Sequence, residues 1–163
     1  MPGRNFLFVP GPTNVPDRIL RAMHRAQEDH RSSAFPALAK GLLADLPKIV
    51  LILIIHNHYD HLDKATLKAL RHAFDPAICF AAGDMRLIRP FGFRDMRELD
   101  WWDEAHFDSG LKITFTPAQH SSARGLHDRH RSLWGGAMIE SRGRRVYFCG
   151  DSGYAPHFTD IRA

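Results

Sequence analysis

Residues 54–63 read IIHNHYDHLD, and His56, His58, Asp60 and His61 stand within six consecutive positions of that stretch. They follow directly on the apolar run 49–55. Ionisable groups resist burial, so gathering them at the end of a greasy segment calls for a partner that offsets the cost. His56 and His58 are two apart, and in extended backbone their rings project to the same side and can share an ion. Asp60 and His61 fall at the turn beyond and face a second position close by. Neutral imidazoles with a carboxylate suit zinc, at ligand distances of about 2.0–2.2 Å. The competing reading is a solvated surface loop. It prevails for a lone histidine, whereas four candidate ligands directly after a strand favour a metal site.

The elements that must position these groups are legible around them. The run IVLILII is short, continuous and rich in β-branched residues, as expected of a strand buried on both faces. Asp63 is placed to cap a helix over 64–74, with Ala65, Ala69, Leu70 and Ala73 on one side. Further strands are predicted over 77–82, 111–116, 136–140 and 145–149. Upstream the character differs. FVPGPTNVP (8–16) carries three prolines and a glycine and disfavours helix. DRILRAMHRAQ (17–27) then places Ile19, Leu20 and Met23 on one helical face. Phe35, Leu38, Leu42, Leu43 and Leu46 form the stripe of a second helix over 35–46.

A chain of 163 residues, 44% hydrophobic and 25% charged, fits one soluble globular domain. Two cysteines, Cys79 and Cys149, make no disulfide framework and are read as buried small hydrophobes. A reducing, cytoplasmic location is the expectation. The longest apolar run is far below the roughly 20 residues that span a bilayer, and no charged leader precedes it. The net charge of +4, with arginine outnumbering lysine, suits an anionic small-molecule substrate or peripheral contact with a membrane surface, and its scattered distribution suits a merely solvated surface equally well. No stripe of basic and aromatic residues argues for nucleic acid.

HNHYDHLD resembles the HxHxDH signature of the metallo-β-lactamase superfamily. ELDWWDE (98–104), TPAQHSSARGLHDRHRSLWGG (116–136) and VYFCGDSGY (146–154) resemble the branch containing N-acyl-phosphatidylethanolamine phospholipase D. L-Ascorbate-6-phosphate lactonase is a more distant relative of that branch. The resemblance implies an α/β (α+β) fold, an αββα sandwich carrying one or two zinc ions. His56, His58 and His120 correspond to the ligands of the first metal, Asp60 and His61 to those of the second, and Asp151 to the bridge between them. Asp60 also takes the catalytic role of orienting the attacking water. Two metals about 3.5–4 Å apart lower the pKa of a shared water and neutralise charge on a phosphodiester. Arg124 stands where an arginine can meet substrate phosphate, the alternative being a structural ion pair with Asp128. Trp101, Trp102 and Trp134 line an acyl pocket or pack in the core. His127, His130 and His157 are read as surface or supporting residues, and His24, His30, His72 and His106 receive no role.

Residues 1–44 resemble a different family. FVPGPTNVPDRILRAM followed by DHRSSAF is similar to the N-terminus of class V, pyridoxal-phosphate-dependent aminotransferases of the serine–glyoxylate type. None of the five lysines sits in a matching context, so no cofactor chemistry of that family is expected. The organisation expected is therefore a two-helix, aminotransferase-like arm over 1–45, not an independent domain, joined to a metal-binding domain over 46–163. That domain is a partial sandwich without the family's early strands and C-terminal portion. The histidine that completes the family's second metal site has no counterpart in the twelve residues after Asp151. Sheet edges left open invite self-association. The expected function is a zinc-dependent hydrolase of phosphodiester or phospholipid substrates. The alternatives are an inactive chimeric or truncated metal-binding fragment, then a lactonase or thioesterase, then an aminotransferase fragment. Ser121 and Ser122 follow His120 where the phospholipase branch often has tryptophan, which leaves the substrate open.

Overall fold

The computed structural model describes Arg18, Arg21, residues 48–125 and residues 127–162. By its contacts the chain divides into two units, Met1–Pro47 and Lys48–Ala163. In the first unit Arg18 and Arg21 are helical and exposed. The other expectations for that unit, the proline-rich extended stretch and the remainder of the two helices, lie outside the described residues.

The second unit opens with β1 (Leu51–Ile54), α1 (Lys64–Phe74) and β2 (Ala77–Ala81). β1 and β2 pair in parallel, Ile52 against Ile78 and Ile54 against Phe80. A parallel pair needs a crossover between its strands, and α1 supplies it. That helix starts where Asp63 Oδ2 accepts the Thr66 N–H at 2.7 Å. It ends at Asp75, which adopts φ 45° and returns its N–H to the Arg71 carbonyl. A short α2 (Met85–Ile88) and one 3₁₀ turn (Arg89–Phe91) lead to β3 (Met96–Leu99), the third parallel strand. Four antiparallel strands follow: β4 (Glu104–His106), β5 (Lys112–Thr116), β6 (Gly136–Ser141) and β7 (Arg144–Phe148). The last element is α3 (His157–Arg162).

Alternation along the strands builds two cores. Cys79 and Ala81 point to one face of β2 and pack with Ile55 and Leu99 against Ala105, Ile113, Phe115 and Ala137 of the antiparallel sheet. Ile78 and Phe80 point the other way and pack with Ile54, Leu62, Leu67, Ile88 and Phe93 on the helical side. On the outer face of the antiparallel sheet, Tyr147 of β7 meets Phe158 of α3 at 6.4 Å between ring centroids. The layers therefore run helix, sheet, sheet, helix, the αββα arrangement expected in partial form.

Several expectations change. Among the described residues β1 is an edge strand, and Leu51, Ile52 and Leu53 are only half-buried. The strand buried on both faces is β2, whose AICFA also reads as a continuous apolar run. β3, β4, α2 and α3 went unpredicted because segments such as MREL and EAH are too short and too polar to show a period. Cys79 is buried, but Cys149 is exposed, since it follows β7, an edge strand among the described residues. Trp101 and Trp102 are exposed and not core residues, and Trp102 takes a φ of 72° in a turn. Val146 and Phe148 of β7 are exposed as well. No helix among the described residues is long and apolar enough to cross a membrane.

Candidate metal centre

The apolar run delivers His56 to the interior. Ile55 inserts into the core between the sheets, and its carbonyl accepts the Gly135 N–H at 2.9 Å. His56 follows with no exposed surface. The chain then turns tightly, the His58 carbonyl accepting from His61 N at 3.2 Å and from Leu62 N at 2.9 Å. Leu62, fully buried, anchors the turn and leaves Asp60 and His61 at its outer side.

The antiparallel sheet brings the other two groups. His120 lies just past β5 and Asp151 just past β7. Their segments are zipped together, Gly153 N donating to the Gln119 carbonyl at 2.9 Å and Gln119 N to Ser152 Oγ at 3.1 Å. Gly150 turns the chain with φ 59°, and a Cβ there would strike the Ile55 side chain, so the approach of this turn to the ligand strand requires glycine.

Two overlapping groups of donor atoms result. His56, His58 and His120 form one, and His56, His61 and Asp151 the other, with the atoms of each group within 4.8 Å of one another. In the first, His120 Nε2 lies 3.3 Å from both His56 Nε2 and His58 Nδ1. That spacing matches an edge of about 3.3 Å for a tetrahedron whose nitrogen ligands stand about 2.0–2.1 Å from a central ion. In the second, His61 Nε2 is 3.1 Å from Asp151 Oδ2. The same carboxylate oxygen lies 3.9 Å from His56 Nε2 and 3.8 Å from His120 Nε2, so Asp151 stands between the groups. Imidazoles this close, one wholly buried, repel as cations and suit a shared ion as neutral ligands.

The electrostatics favour the neutral form. Burial, reinforced by His61, His120 and His58 and opposed by Asp151, lowers the His56 pKa from 6.5 to about 4. Burial also lowers the pKa of His120, against the pull of Asp151. Both rings thus present lone pairs at neutral pH without first losing a proton. His56 Nδ1 is buried and has no partner among the described residues.

Asp60, expected as both ligand and catalytic carboxylate, is a neighbour of the second group and outside both. Its Oδ2 is 3.5 Å from His61 Nε2, and its side chain is 77% exposed. Arg124 turns to the scaffold where phosphate contact was expected. Its Nη1 donates to the carbonyls of Asn57 at 2.9 Å and Leu62 at 2.7 Å, and its guanidinium stacks 4.0 Å from the Tyr59 ring centroid. The alternative ion pair with Asp128 takes a different form, the Asp128 carboxylate accepting the backbone N–H groups of Arg124 and Gly125. His157 supports the Asp151 segment through Ser152 Oγ at 3.1 Å. Trp101 and Trp134 are tied to backbone, their indole N–H groups donating to the carbonyls of Trp134 and Ala118.

Sequence reasoning missed Asn57, Asp84, Ser122 and Ser132. Asn57 sits between two ligands, is 2% exposed, and donates from Nδ2 to Asp84 Oδ1 at 2.9 Å and Ser132 Oγ at 3.2 Å. Ser122 Oγ in turn donates to the Ser132 carbonyl. One signal was present. If His56 and His58 face one way, the residue between them faces the other, and a buried polar side chain there requires partners.

Two packed sheets with a cluster of histidines and an aspartate at their strand ends make a scaffold that could hold a metal ion. The profile described as a beta-lactamase superfamily domain matches residues 4–163, and the chain belongs to that superfamily. N-acyl-phosphatidylethanolamine-hydrolyzing phospholipase D 1 of Caenorhabditis elegans is 34% identical over 121 residues, which are 69% of this chain and 34% of that protein. The chain thus spans about a third of that relative's length. A metallo hydrolase from the archaeon Ignicoccus hospitalis superposes with a TM-score of 0.57 at 26% identity, covering 70% of this chain and 47% of that one. The serine–glyoxylate aminotransferase of Methylorubrum extorquens is 62% identical over 48 residues, 29% of this chain and 12% of that protein.

Proposed function

We propose that the chain is a zinc-dependent hydrolase acting on phosphodiester bonds, with a phospholipid of the N-acyl-phosphatidylethanolamine type as the substrate class. The observation that carries this reading is the pair of donor groups sharing His56, with Asp151 placed between them. Three imidazoles, with His120 Nε2 at 3.3 Å from a nitrogen of each of the other two, favour zinc over the oxygen-seeking alkaline-earth ions. When bound, such an ion supplies Lewis acidity to a water and to a phosphoryl oxygen.

The residues divide the remaining work. His56, His58 and His120 hold the first position, and His61 with Asp151 the second. Asp60, at the open side of His61, accepts a hydrogen bond from the attacking water and orients it. The phospholipase D of Caenorhabditis elegans supports the substrate class, as does a cavity of about 300 Å³ that runs from Asp60 and His61 along Ile52, Ile54, Leu67 and Leu70. Tyr59 and Tyr154, both exposed beside the ligand segments, suit contact with a lipid surface. The aminotransferase match supports reading residues 1–45 as an arm of separate origin joined to the hydrolase domain. Exposed Val146 and Phe148 on the edge strand β7 support self-association through that edge.

A second reading, a metal-binding fragment without turnover, is favoured by the position of Asp60 outside both donor groups. The two part on one experiment. Purified protein loaded with zinc is assayed for metal content and for cleavage of a chromogenic phosphodiester and of N-acyl-phosphatidylethanolamine. Cleavage abolished by His58→Ala and Asp151→Ala supports the hydrolase. At least one bound zinc with no cleavage of either substrate leaves the fragment, and less than half an equivalent of zinc removes both readings.

A further inference from the structure

Asp84 stands at the N-cap of α2, where an aspartate ordinarily accepts free helix N–H groups, yet its side chain makes no capping bond. Glu98 of β3 serves there in its place, Oε1 accepting from Gly83 N at 2.8 Å and Met85 N at 3.3 Å. The Asp84 carboxyl is instead turned inward, fully buried, against the Asn57 amide. Gly83 allows this with a φ of 94°, and a Cβ there would come within 2.6 Å of the Arg131 carbonyl.

If Asp84 is ionised, the Ser132 hydroxyl is free to donate to the carboxylate, but Asn57 Oδ1 has no donor among the described residues. Asn57 Nδ2 is used twice, on Asp84 Oδ1 and Ser132 Oγ. Asn57 Oδ1 and Asp84 Oδ2 are both buried and both lack a partner among the described residues. With Asp84 ionised both atoms are acceptors only, and leaving buried Asn57 Oδ1 without a donor costs about 1–3 kcal/mol. A single proton on Asp84 Oδ2 makes that atom a donor and supplies what Asn57 Oδ1 lacks.

We propose that Asn57 and Asp84 form a closed amide–acid pair, Asn57 Nδ2 donating to Asp84 Oδ1 and Asp84 Oδ2–H donating to Asn57 Oδ1, which positions the loop carrying His56 and His58. The pair ties that loop to the turn after β2, and Ser132 with Ser122 ties both to the segment that begins at His120. Burial raises the Asp84 pKa, Glu98 adds to the rise, and the bonds from Ser132 and Asn57 and the charge of Arg124 oppose it. Arg86, Arg131 and Asp128 line the adjoining cavity with Asn57. The positioning half of the proposal rests on the metal reading above, and the pairing half does not.

The test compares wild type, Asp84→Asn and Asp84→Ala as full chains. Metal-free wild type at neutral pH is expected to show a carboxylic-acid carbonyl band in the infrared difference against Asp84→Asn. The amide of Asp84→Asn can both accept from and donate to Asn57, so its metal-free unfolding midpoint and Co²⁺ affinity should equal those of wild type. Asp84→Ala should weaken Co²⁺ binding by about 10–100-fold and alter the Co²⁺ visible spectrum. Absence of the infrared band overturns the pairing, as does Asp84→Asn falling with Asp84→Ala. A wild-type Co²⁺ affinity and spectrum in Asp84→Ala overturns the positioning. Should Asp84→Ala fail to fold, the band and Asp84→Asn decide. Should wild type bind no Co²⁺, the metal reading and the positioning role fail together, while the band still judges the pair.

Discussion

His120 Nε2 and His56 Nε2 lie 3.3 Å apart although 64 residues separate them in the chain. His120→Ala removes an imidazole from the first donor group. Affinity for Zn²⁺, measured by competition with a chromophoric chelator, should fall by more than the roughly 10–100-fold typical of losing an outer partner. Unchanged affinity would remove His120 from the site.

The buried state of His56 has a consequence for the metal-free protein. Its folded pKa of about 4 lies below the value near 6.5 of an unfolded histidine. Between those values the unfolded chain binds more protons, so stability falls as pH drops from about 6.5 to about 4. The lowered pKa of His120 acts in the same direction. Urea midpoints of metal-free protein across that range should decline, and a flat profile would contradict the burial.

Arg124 is assigned to the ligand loop by its bonds to the Asn57 and Leu62 carbonyls and its stacking on Tyr59. Arg124→Ala should cost about 1.5–3 kcal/mol in chemical denaturation, the range for hydrogen bonds to charged groups. Arg124→Lys should recover little, because an ammonium cannot reproduce a planar fork that also stacks. A change in KM alone, with stability intact, would return Arg124 to the substrate.

Asp63 caps α1 through the Thr66 N–H, and its pKa is lowered first by the Thr66 side-chain hydroxyl and then by that backbone bond. Asp63→Ala should cost about 1 kcal/mol at neutral pH. A depressed carboxyl pKa stabilises the fold above the unfolded value near 3.8, and the contribution is lost as pH falls through the lower, folded one. The difference between variant and wild type should therefore shrink in acid, read by thermal melts at pH 7 and below pH 4.

Gly150 combines a φ of 59° with close approach to Ile55. Gly150→Ala adds the left-handed penalty of about 1–2 kcal/mol and presses on the strand that carries His56. Lower thermal stability and weaker metal binding should appear together, and an unchanged metal affinity would show that Asp151 tolerates the shift.

The linear order of residues by itself determined the elements whose signals are local. Asp63 before an amphipathic run marked α1, and AICFA marked β2. HNHYDHLD announced a metal site because all its spacing lies within one strand end and one turn. The tertiary structure decided which distant residues complete that site and which only support it. Asn57 finds its partners 27 and 75 residues away, and Arg124 reaches back 67 residues to the ligand loop. Periodicity encodes which face of an element is apolar, but the partner of a polar group depends on sheet pairing and layer packing, which bring together segments that carry no mark of each other. For that reason Asp84, in the position of an ordinary helix cap, proved to face inward to Asn57, and Arg124 proved to hold backbone carbonyls.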